Sequence, residues 1–547
     1  MTFVAAAAAL VAGLAVTAVT GESAAQAQTT PACSANTTVQ TKTGPVCGLT
    51  AAGITSYLDI PYAAPPTGDL RWKSPQPHAA WTTTYQATAA APECPSPGFP
   101  PGSPPASGTS ENCLYLKVEV PAGTKPGEKL PVMYEVHGGG FLGTALTNNG
   151  DNLVNSGKVV YVFANYRLGI LGFLADSALG PHSGDYGIQD QQFGLRWVQQ
   201  NIARFGGNPG NVTVFGESAG GASTCIQVAS PTARGLFEHA ISVSGFYNYQ
   251  DNIVWSKADC KSTFYTEAQA QTVGAQFAKR VGCGSAGSAA NVAACLRKVP
   301  AATLVEDGGQ YTEPAAGGTI GPIVNGTTIP MSPAKAFATG HVNHVTLISD
   351  VGRDEFNGGV YANTTGLPVV VADTAAQFRQ LVKEQFGSLA STVERLYPLS
   401  QYQSPYTDYR TIMADSASVC PVLEENQQLS KYIPTYVDIN TDADNPAGEN
   451  LTLPLGAQHS GTNGLVHFAS AQLDANQLAL QTQLLDEWTH FAATGNPNAP
   501  HTPAWALYSA RQHPVMLLQP ADTSTVTPEA FVAAQHNCGF WDRVTRY

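Results

Sequence analysis

From about Leu130 to Val228, short apolar runs alternate with stretches of helical periodicity. VMYEV (Val132 to Val136) and VVYVFA (Val159 to Ala164) are near-continuous runs of β-branched and aromatic residues, the pattern of strands buried on both faces. QDQQFGLRWVQQNIARF carries its apolar residues at helical spacing. VTVF (Val212 to Phe215) reads as another strand, and Ala219 to Val228 as the helix after it. Further on, VTLISDVGRDEF from Val345 is an apolar strand running into a polar turn. This alternation predicts an α/β fold: a large, mostly parallel central sheet with helices on both faces and long loop insertions. In such a sheet the chemistry sits at the carboxyl ends of the strands.

No internal repeat or long linker interrupts the chain, so residues 28–547 are expected to form a single domain. Residues 1–27 read as a secretory leader: an apolar run without charge before Glu22, ending in Ala25-Gln26-Ala27. No Lys or Arg precedes that run, and a membrane anchor is the competing reading. The expected location is extracellular or periplasmic, with no stable membrane association once the leader is cleaved.

The formal charge of −13, with no runs of Lys or Arg, argues against nucleic acid as a partner. In an exported chain the ten cysteines suggest disulfides. Spacing proposes Cys33 with Cys47, Cys94 with Cys113, Cys283 with Cys295, and Cys420 with Cys538. Cys225 and Cys260 are left over; they either pair, or Cys225 is an inert thiol buried in a helix, the reading favoured here. Cysteine and histidine spacing offers no metal site, and no cofactor is expected.

Two glycine-rich motifs follow predicted strands. GESAG (Gly216 to Gly220) lies between a strand and a helix, where small neighbours permit a sharp turn that exposes Ser218. In HGGGF (His137 to Phe141) three glycines free backbone N–H groups to face a developing oxyanion. A serine hydroxyl needs an imidazole base and a carboxylate to orient it. His459, in PLGAQHSG, stands in a Gly/Ser-rich loop after the apolar segment Leu451 to Leu455; its rival His467 lies within VHFA and reads as packed. Asp350, Asp354 and Glu355 are all candidates for the acid, and spacing does not rank them.

YLDIPYAAPPTGDLRW, ENCLYL, ANYRLGILGFL, FGGNPGNVTVFGESAGG and EWTHFAATGNPN occur in that order. With them the chain, from about Tyr57 to Phe540, resembles the type-B carboxylesterase, or cholinesterase-like, family of the α/β-hydrolase fold. The resemblance implies Ser218 as nucleophile, Glu355 as acid, His459 as base, and an oxyanion hole of the Gly139, Gly140 and Ala219 amides. It also implies two scaffold ion pairs, Arg71 with Glu111 and Arg167 with Asp190. Four positions depart from the family pattern: Phe356 follows the acid where Gly is usual, Ser460 follows the base where Gly is usual, Thr462 replaces a carboxylate, and Asn112 replaces Asp. The implied activity is carboxylic ester hydrolysis through an acyl-enzyme on a small-molecule ester, by a monomer.

Pro95 to Asn112, rich in Pro, Gly and Ser, has Phe99 as its one aromatic. It offers neither the Trp that stacks on choline in cholinesterases nor an amphipathic lid for long-chain fats. Short or medium acyl groups are therefore expected. The aromatic-dense segment Phe246 to Glu267 either lines the pocket, which would admit bulky aromatic esters, or packs as a surface insertion. Two alternatives stand beside this expectation: a lipase acting on longer chains, and a non-catalytic adhesion or binding domain of the same fold.

Overall fold

A computed structural model describes residues 33, 35–97, 107–143, 149–247, 260–262, 264–309, 320–356, 372, 374–443, 456–509 and 511–544. The leader, Phe99, Leu451 to Leu455 and most of the stretch after Tyr247 lie outside them. The main sheet is built from β1 (Leu49–Ala51), β2 (Ile54–Pro61), β3 (Tyr115–Pro121), β4 (Leu130–Val136), β5 (Val160–Ala164), β6 (Gly207–Glu217), β7 (His239–Val243), β8 (Thr346–Gly352), β9 (Thr435–Asn440), β10 (Pro514–Leu518) and β11 (Thr525–Pro528). The helices that bear on the site are α1 (Tyr186–Asn201), α2 (Ala219–Ala229), α3 (Pro405–Ala414), α4 (Gly461–His467) and α5 (Ala475–Thr494).

The strand order is β11-β10-β9-β8-β7-β6-β4-β5-β3-β2-β1. From β5 through β10 every neighbouring pair is parallel, and the antiparallel pairings are confined to the two ends of the sheet. This is the α/β architecture that the alternating pattern predicts, and the α/β-hydrolase fold that the family resemblance implies.

Period-two alternation divides the apolar residues between two cores, one on each face. Val132, Tyr134 and Val136 of β4, Val214 of β6 and Ala240 of β7 join Ala222 and Ile226 of α2 and Leu195 and Val198 of α1. Met133, Phe215 and Ile241, the alternate residues of the same strands, pack with Leu480, Leu484, Trp488 and Phe491 of α5. A sheet covered on both faces leaves its strand ends as the exposed place for polar groups to gather.

Five disulfides cross-link the described chain: Cys33–Cys47, Cys94–Cys113, Cys225–Cys260, Cys283–Cys295 and Cys420–Cys538. Cys225 is thus a bridge and not the favoured free thiol; it joins α2 to Cys260, beyond β7. Arg71 grips Glu111 with two bonds of 2.7 and 2.6 Å. Arg167 does the same to Asp190 at 2.7 and 2.8 Å. Among the described residues no helix is long and apolar enough to cross a membrane.

Candidate active site

The strands β4, β6, β7, β8 and β9 are consecutive neighbours in the sheet. The loops leaving their carboxyl ends carry, in order, the triple glycine, Ser218, Tyr247, Glu355 and His459. Residues spread over more than 300 positions thereby meet along one edge, because parallel strands align equivalent ends.

Ser218 occupies the turn between β6 and α2 with φ 59° and ψ −123°. A non-glycine residue tolerates this conformation only where its surroundings hold it. Its amide donates to the Val243 carbonyl at 3.0 Å, and its carbonyl accepts from the Ala222 amide at 2.8 Å. Gly220 lies against the Val136 carbonyl with no room for a Cβ. Ser218 itself remains partly exposed, and no described residue hydrogen-bonds its hydroxyl.

The glycine loop is drawn against this turn. A Cβ on Gly138 would stand 2.7 Å from the Glu217 carbonyl oxygen and 3.2 Å from the Ser218 Cβ. Gly139 and Gly140 have φ of 101° and 63°, values that favour glycine. The amides of Gly139, Gly140 and Ala219 donate to no acceptor among the described residues. His137 anchors the loop from beneath: its Nδ1–H donates to the Gly138 carbonyl at 2.8 Å and its ring stacks on Tyr166. Burial lowers its pKa to about 4, against a smaller upward pull from that hydrogen bond, so it stays neutral.

The three acidic candidates separate. β8 continues two residues beyond Asp350, which therefore lies within the sheet opposite Asp438 of β9. Burial raises both carboxyls, Asp350 to about 7, and Thr462 donates to Asp350 at 2.8 Å. Asp354 accepts from Arg353 Nη2 at 2.7 Å and from the Ala457 amide at 2.9 Å, which ties the acid loop to the histidine loop. Glu355 alone contacts His459 Nδ1, and its other oxygen accepts from the Gly352 amide at 2.7 Å.

On its far side, His459 Nε2 lies 2.9 Å from Oε1 of Glu217, the residue before Ser218. Ser460, held at φ 68°, donates to the same oxygen at 2.6 Å. Burial pulls the His459 pKa down, and the Glu217 and Glu355 carboxylates more than reverse it, raising it to about 10. Burial also disfavours the Glu217 carboxylate, but the imidazole beside it brings its pKa below the ordinary value. Sequence reasoning did not single out Glu217, although it is the variable position inside GESAG, where its acidity was the available signal. Tyr247 was missed as well: its hydroxyl donates to Glu355 and lies 2.8 Å from His459 Nδ1.

His467 ends α4 outside the hydrogen-bonded cluster, with Nδ1 2.9 Å from the Asn149 carbonyl and Nε2 3.5 Å from Glu135, though near enough to help hold the Glu217 pKa down. Among the described residues no group of three or more His, Cys, Asp or Glu is arranged to hold a metal.

A model of the carboxylesterase family matches residues 35–541. The para-nitrobenzyl esterase of Bacillus subtilis (strain 168) is 31% identical over 508 residues, covering 90% of this chain and 96% of that protein. The fumonisin B1 esterase of Sphingopyxis macrogoltabida is 31% identical, covering 86% of this chain and 84% of its own. Human cocaine esterase is 30% identical, with 86% and 85% covered. Among solved structures, a thermophilic PNB esterase superposes with a TM-score of 0.73 at 27% identity, covering 92% of this chain and 100% of that one.

Proposed function

The chain belongs to the carboxylesterase family, and from that premise we propose that it is an exported carboxylesterase of short and medium acyl or bulky aromatic esters, with Ser218, His459 and Glu355 as its relay. The observation that carries this reading is the clamped imidazole. His459 is held at Nδ1 by Glu355, while Nε2 lies beside Glu217, the immediate neighbour of Ser218.

Once His459 has given its Nε2 proton to solvent and an ester carbonyl enters between the serine hydroxyl and the free amides of Gly139, Gly140 and Ala219, the neutral Nε2 exchanges Glu217 for that hydroxyl. His459 takes the serine proton as Oγ bonds to the carbonyl carbon, and the oxyanion accepts from the amides. Collapse breaks the bond to the alcohol, which leaves with the proton from His459. Water, deprotonated by the same imidazole, then releases the acid and restores the serine. The two carboxylates favour the imidazolium that each attack generates.

Substrate preference rests on what surrounds the relay. Tyr247, Phe356, Met413, Ala414 and Ala417 form a buried apolar cluster that backs Glu355 and His459, and the ester itself is read as one with a bulky aromatic group. The para-nitrobenzyl group in one relative's name is of that kind. Five disulfides favour an oxidising compartment, and large apolar side chains exposed among the described residues are limited to Tyr432, Leu507, Val526 and Phe531, which suits a monomer.

A panel of soluble p-nitrophenyl and benzyl esters of rising acyl length, run beside emulsified long-chain triglyceride, tests the proposal. Short and medium chains should turn over fastest, and Ser218→Ala should lose at least about 10⁴-fold in kcat with unchanged circular dichroism. Faster hydrolysis of the triglyceride would make it a lipase; retained turnover in Ser218→Ala would remove the relay.

A further inference from the structure

Tyr247 lies in the aromatic-dense segment Phe246 to Glu267, and it closes a triangle with the acid and the base. Its hydroxyl donates to Glu355 Oε1, the same oxygen that contacts His459 Nδ1, and its oxygen lies 2.8 Å from that nitrogen. The residue is 1% exposed, so no water competes freely for these bonds.

Three contacts fix the phenol in place. The ring packs on Phe356, the residue directly after the acid, with centroids 5.7 Å apart. Its carbonyl accepts from the Lys261 amide at 3.2 Å and the Ser262 hydroxyl at 3.3 Å. The neighbouring Cys260 is bonded to Cys225 of α2, the helix that begins at Ser218. Tyr247 is thus tethered to the nucleophile's helix on one side and to the acid's loop on the other.

We infer that Tyr247 is a positioning residue of the relay, holding the Glu355 carboxylate against Nδ1 by hydrogen-bonding its Oε1. The inference rests on the roles proposed above for His459 and Glu355. The phenol proton shares the charge of Oε1, so the carboxylate holds the imidazolium less tightly and His459 returns to its neutral, proton-accepting form more readily. The groups that face the imidazole are Glu355 and Tyr247 at Nδ1 and Glu217 with Ser460 at Nε2; behind them, Asp350 of β8 lies within electrostatic range of both carboxylates and His467 of α4 within range of Glu217. Among these the phenol is the neutral donor to Glu355.

The test is the pH profile of kcat/KM on a soluble aryl ester for the full chain, Tyr247→Phe and His459→Ala, with active sites counted by an organophosphonate. Tyr247→Phe keeps the ring and removes only the hydroxyl. Its kcat should fall about tenfold, its KM should stay within about twofold of the full chain's, and its ascending limb should move to higher pH, since Glu355 then binds the imidazolium more tightly. A 3-fluorotyrosine at position 247, a stronger donor on the same ring, should move the limb the other way and serves if the Phe variant does not fold. Unchanged kcat and limb in Tyr247→Phe, or an unmoved limb with 3-fluorotyrosine, while His459→Ala is inactive, would overturn the inference and leave the relay standing. Full activity in His459→Ala would bring down both.

Discussion

Each residue that departs from the family pattern has a specific neighbour. Phe356 lies against Tyr247, Ser460 donates to Glu217, Thr462 links Asn440 to Asp350, and Asn112 donates to the Tyr115 hydroxyl at 2.9 Å. The one with the clearest consequence is Ser460, because it shares Glu217 with the imidazole. In the proposed relay the rate depends on neutral His459, so kcat/KM should rise with pH through the His459 pKa and be low beneath it. The Glu217 carboxylate raises that pKa, which places the ascending limb above the ordinary histidine range of about 6.5. Glu217→Gln removes the charge and keeps the shape; its limb should move down by about one pH unit or more. A profile superimposable on the full chain's would show that Glu217 does not act on the base. Residue types alone left Asp350, Asp354 and Glu355 equivalent, because the choice depends on where β8 stops. Its two extra residues keep Asp350 in the sheet and bring Glu355 round to His459.

At the scale of elements, the strand-turn-helix at Ser218 was legible because its parts are local: VTVF, two small flanking residues and an apolar helix. What is not local is the reason those neighbours must be small. Gly216 and Gly220 both abut the Val136 carbonyl of β4, a strand about 80 residues earlier, and that crossing holds the serine in its unusual conformation. Gly220→Ala would drive a methyl into backbone that cannot move aside, and should cost at least about 2 kcal/mol in denaturant unfolding, with activity lost alongside. A variant as stable and as active as the full chain would mean that the elbow is looser than described. The Tyr247 triangle had no local signal, since three loops contribute one residue each and only the order of β7, β8 and β9 brings them together.

Across the whole molecule, the apolar alternation of the central strands anticipated a sheet with two covered faces, and the two cores divide along it. The cysteine spacing proposed four of the five pairs; Cys225 with Cys260 was ambiguous because a buried helical cysteine and a bridging one look alike until the chain after β7 is placed. Cys420–Cys538 spans 118 residues and ties the helix after α3 to the C-terminal helix. Replacing both cysteines by serine releases that loop in the unfolded chain and should lower stability by about 4 kcal/mol, read as an earlier guanidinium midpoint. An unchanged midpoint would show that the C-terminal helix is held by its packing alone. Neither Cys420 nor Cys538 hydrogen-bonds Ser218, His459 or Glu355, so kcat of the folded fraction should be preserved.

Covalent labelling tests most directly whether Ser218 is an activated nucleophile. After treatment with one equivalent of an organophosphonate ester, peptide mass analysis should find a single adduct on Ser218, with esterase activity lost in proportion to its occupancy. A protein that remains unlabelled at Ser218, or that hydrolyses esters undiminished when Ser218 is fully modified, would contradict it.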